Sequence, residues 1–327
     1  MTKPSKAQTS IGVLLARRSI ARHRWLGPLL ALVAVFVLFA ILVPGRFTSA
    51  ITLVTMARAT AVVGIAATGT TMVIILGGID LSVGSVVALT TVVIALALRG
   101  QHGALVAIAL GVLVALASGA VNGGLTVGLG VTPFIVTLGT MGILRGVASG
   151  LAREQRVYVD AHGIDALVLP ARGVLGLPLA VWLLALVAIV VAVLLNNTRY
   201  GREVFAIGSN ERTALLAGIR VERVKILTYA IATGLAGIAG VVEFGRLTVG
   251  DPTDSVGLEL AVIAASVIGG ASLTGGEGSV LGTVFGAMMM TVIQTGCSFL
   301  GLASWTQMIL TGVIIVGAAA LDRLRRR

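Results

Sequence analysis

Asp80 is the residue with the strongest case for chemistry, because it is the only acid between Met1 and Gly150. It lies in the run Gly77-Gly78-Ile79-Asp80-Leu81-Ser82, which separates two long apolar stretches. An ionised carboxylate at bilayer depth costs about 2.5–3.5 kcal/mol on insertion scales, so such an acid is a functional candidate. The two glycines predict a break between helices. Asp80 then either caps the next helix through the amides of Ser82 and Val83 or contacts a solute or gate.

A second run of the same kind occurs near the other end of the chain. Gly269-Gly270-Ala271-Ser272-Leu273-Thr274-Gly275-Gly276 matches residues 77–84 as G-G-x-x-L-[ST]-x-G. Paired Gly-interrupted apolar segments are a sequence signature of the central site of transporters built from repeats. Chance recurrence in a chain with 43 glycines is the alternative to duplication. We assign Asp80, Ser82, Ser272 and Thr274 to one candidate translocation path or gate.

Other polar residues lie within apolar stretches. Asn122, in a Gly-rich stretch, is assigned to the same path, and small-residue faces of this kind predict close helix packing with interhelical hydrogen bonds. Glu243 and Arg246 are three residues apart, the spacing of an ion pair along a helix, with solute contact as the alternative. Gln294 and Gln307 either line a polar path or form bonds between helices.

The elements that must position these residues are predicted to be membrane helices. Of the 327 residues 57% are hydrophobic and 11% charged, whereas soluble domains carry about 25% charged residues, so a soluble globule is excluded. The formal charge of +11 is distributed in short patches between apolar stretches, which indicates membrane topology rather than nucleic-acid binding. The single cysteine, Cys297, excludes an internal disulfide.

About ten transmembrane helices are predicted, because a helix crosses the roughly 30 Å hydrocarbon core in about 20 apolar residues. They are residues 26–43, 51–76, 83–98, 104–128, 131–150, 178–195, 226–244, 258–274, 279–296 and 305–321. The fold class is an all-α polytopic membrane protein with an internal repeat and Gly-interrupted helices. The transmembrane domain covers 26–322, and basic tails cover 1–25 and 323–327. With both termini inside, 16 of the 24 Lys and Arg residues lie on the cytoplasmic side, as the positive-inside rule expects.

The loop over residues 196–225 is the longest predicted cytoplasmic segment. It contains Ala206-Ile207-Gly208-Ser209-Asn210-Glu211-Arg212-Thr213-Ala214-Leu215-Leu216-Ala217-Gly218-Ile219, for which we predict a short helix over 206–219. Ser209 or Asn210 is its candidate N-cap, and Gly218 can end it in the left-handed conformation. Ala214, Leu215 and Ala217 are expected on its surface. So short a helix is marginal alone, so it rests either on a partner or on anionic lipid.

These motifs together resemble the ribose-type sugar permeases of ABC importers, within the branched-chain amino acid and sugar permease superfamily. The resemblance covers about residues 50–322 and includes Val131-Thr132-Pro133-Phe134-Ile135-Val136-Thr137-Leu138-Gly139 and Asn197-Thr198-Arg199-Tyr200-Gly201-Arg202. Thr132, Thr137 and Glu259, which lie in its motifs, join the candidate path. The family pattern E-L-D-x-I-A-A reads Glu259-Leu260-Ala261-Val262-Ile263-Ala264-Ala265 here, so solute specificity is not carried over.

The resemblance implies an inner-membrane permease that imports a monosaccharide with several partners. These are a cytoplasmic ABC ATPase, a periplasmic or lipid-anchored sugar-binding protein, a second permease copy and the lipid bilayer. It also implies that the 206–219 helix docks into the ATPase, and we assign Gly208, Asn210, Glu211, Thr213, Ala214, Leu215 and Gly218 to this coupling element.

No enzyme activity, metal or cofactor is predicted for the chain itself. None of its three lysines follows a glycine, so it has no G-x-x-x-x-G-K-[ST] motif and ATP is expected to bind the partner subunit. Its three histidines are far apart in sequence. Two alternatives stay open. In the first, the chain is an ABC permease for another solute: a polyol, an autoinducer or a branched-chain amino acid. In the second, it is an ion-coupled secondary transporter with Asp80 as its proton or cation site.

Overall fold

The computed structural model describes residues 25–160, 163–167 and 175–325, and these residues are mostly helical. The helices, in chain order, are α1 (Leu26–Leu42), α2 (Ala50–Ile75), α3 (Val83–Arg99), α4 (Ala104–Leu129), α5 (Pro133–Leu151), α6 (Leu179–Asn197), α7 (Arg199–Ser209), α8 (Glu211–Leu216), α9 (Val221–Leu247), α10 (Leu258–Ile268), α11 (Val280–Phe299) and α12 (Ser304–Arg325). A 3-10 turn covers Ile164–Leu167. Of the predicted basic tails, residues 1–24, 326 and 327 lie outside the described residues.

Six of the described helices are long and apolar enough to cross a membrane: α2, α4, α5, α6, α9 and α11. Four shorter apolar helices accompany them, namely α1, α3, α10 and the Ser304–Gly317 part of α12. The helical membrane-protein class is therefore confirmed. The count of ten spans and the position of the termini stay predictions.

In nine of the ten predicted stretches, both ends lie within five residues of the observed helix boundaries. The exception is the stretch 258–274, whose predicted C-terminal end is too late. Helix α10 stops at Ile268, and Gly270 follows in the left-handed region with φ +94°. Glycine adopts this conformation without a Cβ clash, so it ends the helix even though apolar residues continue after it. Hydropathy alone does not detect such a stop.

Helix α9 is the centre of the bundle and packs against α2, α3 and α4. Glycines let the backbones approach closely, as membrane helices require when no hydrophobic effect drives their association. A Cβ atom on Gly69 of α2 would lie 2.6 Å from the Ala232 carbonyl oxygen, and one on Gly123 of α4 would lie 2.6 Å from the Ile226 Cα. These contacts fix α9 against both neighbours.

The outer helices expose large apolar side chains over much of their length. On α6, Leu186, Ile189, Val190 and Val193 are each more than half exposed. Exposed apolar area of this extent is unusual on soluble monomers. It is the surface expected where a helix faces hydrocarbon chains rather than water.

Two helical hairpins, α2–α3 and α10–α11, contain the two G-G motifs. Both turn at the end of the molecule that carries α7 and α8, because the Gly276 amide in the second turn donates to the Ile75 carbonyl at the first (2.8 Å) and Gly208 of α7 contacts both. We call this the α7–α8 end. At the opposite end a two-residue strand β1 (Val157–Tyr158) pairs antiparallel with β2 (Val249–Gly250).

Candidate functional site

The first break is the segment 76–82 between α2 and α3. Gly77 has φ +90°, and its amide donates to the Ile74 carbonyl while the Gly78 amide donates to the Val73 carbonyl, each at 2.9 Å. These bonds satisfy the carbonyls that the end of α2 leaves free. A Cβ atom on Gly78 would collide with the Tyr229 hydroxyl of α9. Both glycines of the motif are therefore required by geometry.

The Asp80 carboxylate organises the rest of the first break. Its Oδ1 accepts from the Ser82 amide at 2.8 Å and from the Ser82 hydroxyl at 2.6 Å, and Asp80 is 1% exposed. The predicted bond from the Val83 amide is wrong, because Ser82 already has helical backbone angles and stands at the N-cap of α3 itself. Asp80 thus closes a tight turn before the helix rather than capping it.

Two neighbouring helices hold this turn in place. Asn122 of α4 donates from Nδ2 to the Ser82 hydroxyl at 2.9 Å, and Thr137 of α5 donates from Oγ1 to the Ile79 carbonyl at 3.0 Å. The structure therefore brings together four of the predicted path residues, including Asp80 and Ser82. The interhelical hydrogen bond predicted for Asn122 is confirmed.

Four buried oxygen atoms at or near the first break have no hydrogen-bond partner among the described residues. They are Asp80 Oδ2, Asn122 Oδ1, Ser85 Oγ and Tyr229 Oη. Buried polar groups of proteins are nearly always paired, so such a set marks a functional candidate. Sequence reasoning missed Ser85 and Tyr229. The spacing of Ser85 could have indicated its place in the site, since it follows the N-cap Ser82 by three residues and so lies on the same face of α3.

The second break is the segment 269–279 between α10 and α11. Its Ser272 takes the role of Asp80: the Ser272 hydroxyl accepts from the Thr274 amide at 3.3 Å and lies 2.8 Å from the Thr274 hydroxyl. The left-handed residue is the second glycine, Gly270, whereas in the first break it is the first glycine, Gly77. The two motifs thus make the same polar turn. In the second break, one residue fewer separates the end of the helix from the residue that accepts the hydrogen bond.

Both breaks meet the end of α7, so that three backbone segments are in contact at one junction. A Cβ atom on Gly208 would overlap the Ile75 carbonyl oxygen and would lie 2.7 Å from the Gly276 amide nitrogen. A Cβ atom on Gly275 would lie 2.6 Å from the Gly208 carbonyl oxygen and 3.0 Å from the Gly77 Cα. We call Gly77, Gly208, Gly275, Gly276 and Ile75 the glycine junction.

The predicted extent of one helix over 206–219 is wrong, whereas its candidate N-cap Asn210 and its end at Gly218 are confirmed. Asn210 has an extended backbone (φ −162°, ψ 102°), so α7 ends at Ser209 and α8 begins at Glu211. Asn210 is the N-cap of α8, since its side chain accepts from the Thr213 amide at 2.9 Å. Gly218 has φ +79°, as predicted for the residue after the helix.

The surface of α8 differs from the prediction at Ala214. Ala214 is buried in the main core, whereas Leu215 and Leu216 are 54% and 85% exposed. Glu211 accepts from Lys225 of α9 at 2.7 Å, which ties α8 to the bundle. In α7, burial raises the pKa of Tyr200 to about 12, although its hydroxyl pairs with that of Thr228. Tyr200 is therefore a neutral packing residue at physiological pH.

Comparison with protein families decides what kind of molecule this is. The family described as the permease component of the branched-chain amino acid transport system matches residues 52–319, which is most of the chain. The chain belongs to this permease family. It is a transport subunit rather than an enzyme, and its apolar helices make it a multi-pass protein of the bacterial inner membrane.

Individual relatives of the permease are named for particular sugars. It is 38% identical to the ribose import permease protein of Escherichia coli K12 over 92% of this chain and 95% of the relative. It is 36% identical to the ribose import permease protein of Bacillus subtilis 168 over 91% and 92%. A D-allose transport system permease protein of E. coli K12 is 37% identical over 77% of each chain. No solved structure matches the permease.

Two predicted path residues of the permease, Thr132 and Glu259, belong to the network of neither break. Thr132 is exposed at the start of α5, and its side chain makes no cap hydrogen bond. Glu259, in the first turn of α10, accepts from the Gly257 amide at 3.1 Å and packs over Gly84 in the first turn of α3. Glu259 therefore connects the two hairpins, but at another place than Asp80.

Two arginines from outside the loop after β2 bind it. Arg145 of α5 donates to the carbonyls of Pro252 and Asp254 at 2.8 and 2.6 Å, and Arg156 pairs with Asp251 at 2.7 Å. Burial favours the neutral form of Asp251, but hydrogen bonds from Thr253 and from Arg156 outweigh it and lower its pKa. The loop is thus fixed by charged anchors. The predicted Glu243–Arg246 ion pair is confirmed as well.

Proposed function

We propose that this permease is the membrane subunit of an ABC importer that moves a monosaccharide into the cell while a separate subunit hydrolyses ATP. Relatives named for ribose, allose and arabinose support a sugar as the solute. The arabinose relative, from Azospirillum brasilense, is 37% identical over 78% of this chain and 74% of its own. All three names refer to sugars, which carry several hydroxyl groups.

The glycine junction is the observation that carries the proposal. It places the end of α7 in direct backbone contact with both breaks, so a displacement of α7 and α8 must move the two hairpins. A packed junction transmits such a shift because it has no free volume to absorb it. A subunit that binds ATP at α8 would thereby change the breaks without any ATP site in this chain.

The proposed topology follows from this assignment. The α7–α8 end is cytoplasmic, ten helices cross the membrane, and both termini lie inside. The opposite end, with β1, β2 and the loop after β2, then faces the periplasm, where a sugar-binding protein delivers the solute. A second permease copy packs against exposed apolar helices such as α12, and the two copies together form the path.

The coupling element of the proposal is α8 with its flanking residues. Leu215 and Leu216 supply the exposed apolar surface for a cleft on the ATPase, with Glu211 and Thr213 beside them. Asn210 fixes the start of the helix and Gly218 its end. Gly208 and buried Ala214 join the element to the bundle rather than touch the partner.

Energy coupling provides the test. The assay uses cells whose ribose uptake depends on this permease. Uptake of radiolabelled ribose should slow when ATP is depleted and should continue when an uncoupler collapses the proton gradient. A deletion of the permease gene is the matched control for background uptake. Loss of uptake with the uncoupler, at normal ATP, would contradict the proposal.

The second candidate is an ion-coupled transporter, and one observation favours it. Asp80 Oδ2 is buried and has no partner among the described residues, as a proton or cation site would require. This candidate predicts the opposite response in the same assay. A permease for a branched-chain amino acid, the solute in the family description, is distinguished by competition: unlabelled leucine would then reduce labelled uptake and ribose would not.

A further inference from the structure

A cavity with a volume of about 450 Å³ lies between α2, α9, α10, α11, α12 and the loop after β2. Ligand sites in proteins have volumes of about 300–1,000 Å³ and combine apolar walls with a few converging polar groups. This cavity has that composition. Its apolar lining residues include Val62, Val63 and Met308, and its polar ones are Glu243, Arg246, Asp254, Gln294, Gln307 and Thr311, among others. It is separate from the network around Asp80.

An ion pair between buried Glu243 and exposed Arg246 lines the cavity. Glu243 is only 3% exposed, and both of its carboxylate oxygens accept from Arg246, with Arg246 Nε at 2.9 Å from Oε2. A carboxylate has about four acceptor positions, so this pairing leaves acceptor capacity for another donor. Arg246 likewise has five N–H donors, of which the pair uses two.

Two glutamine side chains also line the cavity, and they differ in the contacts that they already make. The Gln294 amide makes no hydrogen bond in the described part of the chain, and it lies on α11. Gln307 donates from Nε2 to the Leu302 carbonyl at 3.0 Å and to the Ser298 hydroxyl at 3.3 Å, which orients its side chain. Planar amide and carboxylate groups suit neighbouring hydroxyls of a ligand, because each offers two polar atoms side by side.

We propose that this cavity binds the transported solute as a neutral polyhydroxylated molecule, of the size of a monosaccharide, on its way to the breaks. Paired Glu243 and Arg246 bind hydroxyl groups on one side, and Gln294 binds them on the other. Val62, Val63 and Met308 contact the C–H faces of the sugar ring. The inference rests on the proposed function, since it names the site of the same transport.

The charges of the cavity favour a neutral sugar over an amino acid. A zwitterion needs an unpaired cation for its carboxylate, and Arg246 is the only basic residue among the described lining residues. It is already paired with Glu243. Burying a charged group without a partner carries a large desolvation penalty, whereas hydroxyl groups need only hydrogen bonds.

Protection of a cysteine against labelling tests the site directly. The reporter is Gln294→Cys in the Cys297→Ser background, because Gln294 lines the cavity and its amide has no bond to lose. Thr311→Cys, on the neighbouring helix α12, is a second reporter in case the first variant does not fold. The control is Leu300→Cys, which is 44% exposed in the turn between α11 and α12 and does not line the cavity. A membrane-impermeant maleimide is applied to intact cells with D-ribose, D-allose, L-arabinose or leucine.

We expect one of the three sugars to slow labelling at the reporter and to leave the control unchanged. For a site with a Kd of about 1 mM, a sugar concentration of about 10 mM slows labelling roughly tenfold by simple occupancy. Leucine at the same concentration is expected to have no effect. Labelling of both reporters from outside at a rate that no sugar changes would overturn the proposal, as would protection by leucine or a lack of outside labelling in folded reporters.

A parallel uptake measurement separates failure of this inference from failure of the proposed function. The Cys297→Ser parent is assayed for ATP-dependent uptake of the same three sugars. Uptake without protection means that the permease imports a sugar but binds it elsewhere. If no sugar is taken up by the parent and the native chain alike, the proposed function itself is wrong.

Discussion

The two breaks make the same polar turn with different chemistry. The first closes on a carboxylate, Asp80, and is buried under α4 and α5 through Asn122 and Thr137. The second closes on a hydroxyl, Ser272, and its partner Thr274 is exposed. Hydrogen bonds from two neighbouring helices hold the first turn in addition to its own, so the first turn is the more firmly held.

The breaks differ in length as well as in chemistry. Seven residues, 76–82, separate α2 from α3, whereas eleven residues, 269–279, separate α10 from α11. The longer segment carries Gly275 and Gly276, which reach Gly208 and Ser209 at the end of α7. The comparison indicates a division of roles. The first break is the fixed polar element, and the second is the arm that contacts the coupling element.

The largest effect is expected from Gly208→Ala, which would break the contact that both breaks share. Its Cβ would overlap the Ile75 carbonyl oxygen, and overpacking of this kind costs about 1–3 kcal/mol, so uptake should fall about tenfold or more. Transport assays in membranes with equal permease content measure it. Gly146→Ala is the control, since a Cβ there meets nothing within 4 Å. Equal uptake by both variants would remove Gly208 from the coupling element.

Asp80→Ala should have the next largest effect, and it tests whether the first break is the fixed element. The change leaves the Ser82 amide and hydroxyl without their acceptor, at a cost of about 1–3 kcal/mol. We expect lower thermal stability and strongly reduced uptake. Asp160→Ala, at an exposed loop position, should leave both unchanged. Asp80→Asn keeps one acceptor oxygen, so it should retain more activity than Asp80→Ala if the turn is what matters.

Ser272→Ala sharpens the comparison, because it removes the equivalent acceptor from the second break. The donor that loses its acceptor, the Thr274 amide, belongs to an exposed residue that water can reach, so we expect a smaller destabilisation, about 0.5–1.5 kcal/mol. Thermal unfolding of purified permease in detergent measures the difference between the two variants. An effect of Ser272→Ala equal to or larger than that of Asp80→Ala would contradict the proposed division.

The smallest effect is expected from Asn210→Ala, which acts on α8 and not on either turn. Loss of an N-cap destabilises a helix by about 1 kcal/mol. Stimulation of ATP hydrolysis in the assembled importer should fall a few-fold while insertion and thermal stability of the bundle stay unchanged. Asn196→Ala, which loses only a bond to a carbonyl of its own helix, is the control.

Much of the fold could be predicted from the sequence because lipid allows few solutions. Hydropathy located the long helices to within a few residues, and the glycine motifs located both breaks. The end of α10 could not be predicted from hydropathy, because apolar Ala271 and Leu273 continue the pattern after the chain has turned at Gly270. Local backbone conformation decided that boundary.

The candidate site was predicted in its centre and missed at its edges. Asp80, Ser82, Asn122 and Thr137 do meet, since each is a polar residue that burial in a membrane protein forces to find a partner. Tyr229 could not be found, because it lies 149 positions from Asp80 and its role depends on how α9 crosses α2 and α3. Ala214 was placed on the wrong face, since a helix as short as α8 has too few residues to define an apolar face.

The glycine junction has a consequence for the conditions under which it works. It is built of peptide groups and glycine α-carbons and contains no ionisable side chain. Its contacts therefore do not change with pH or ionic strength. The Lys225–Glu211 pair that ties α8 to the bundle is partly exposed, and salt screens a pair of this kind. A rise in salt concentration would weaken the ion pair and leave the contacts of the glycine junction unchanged.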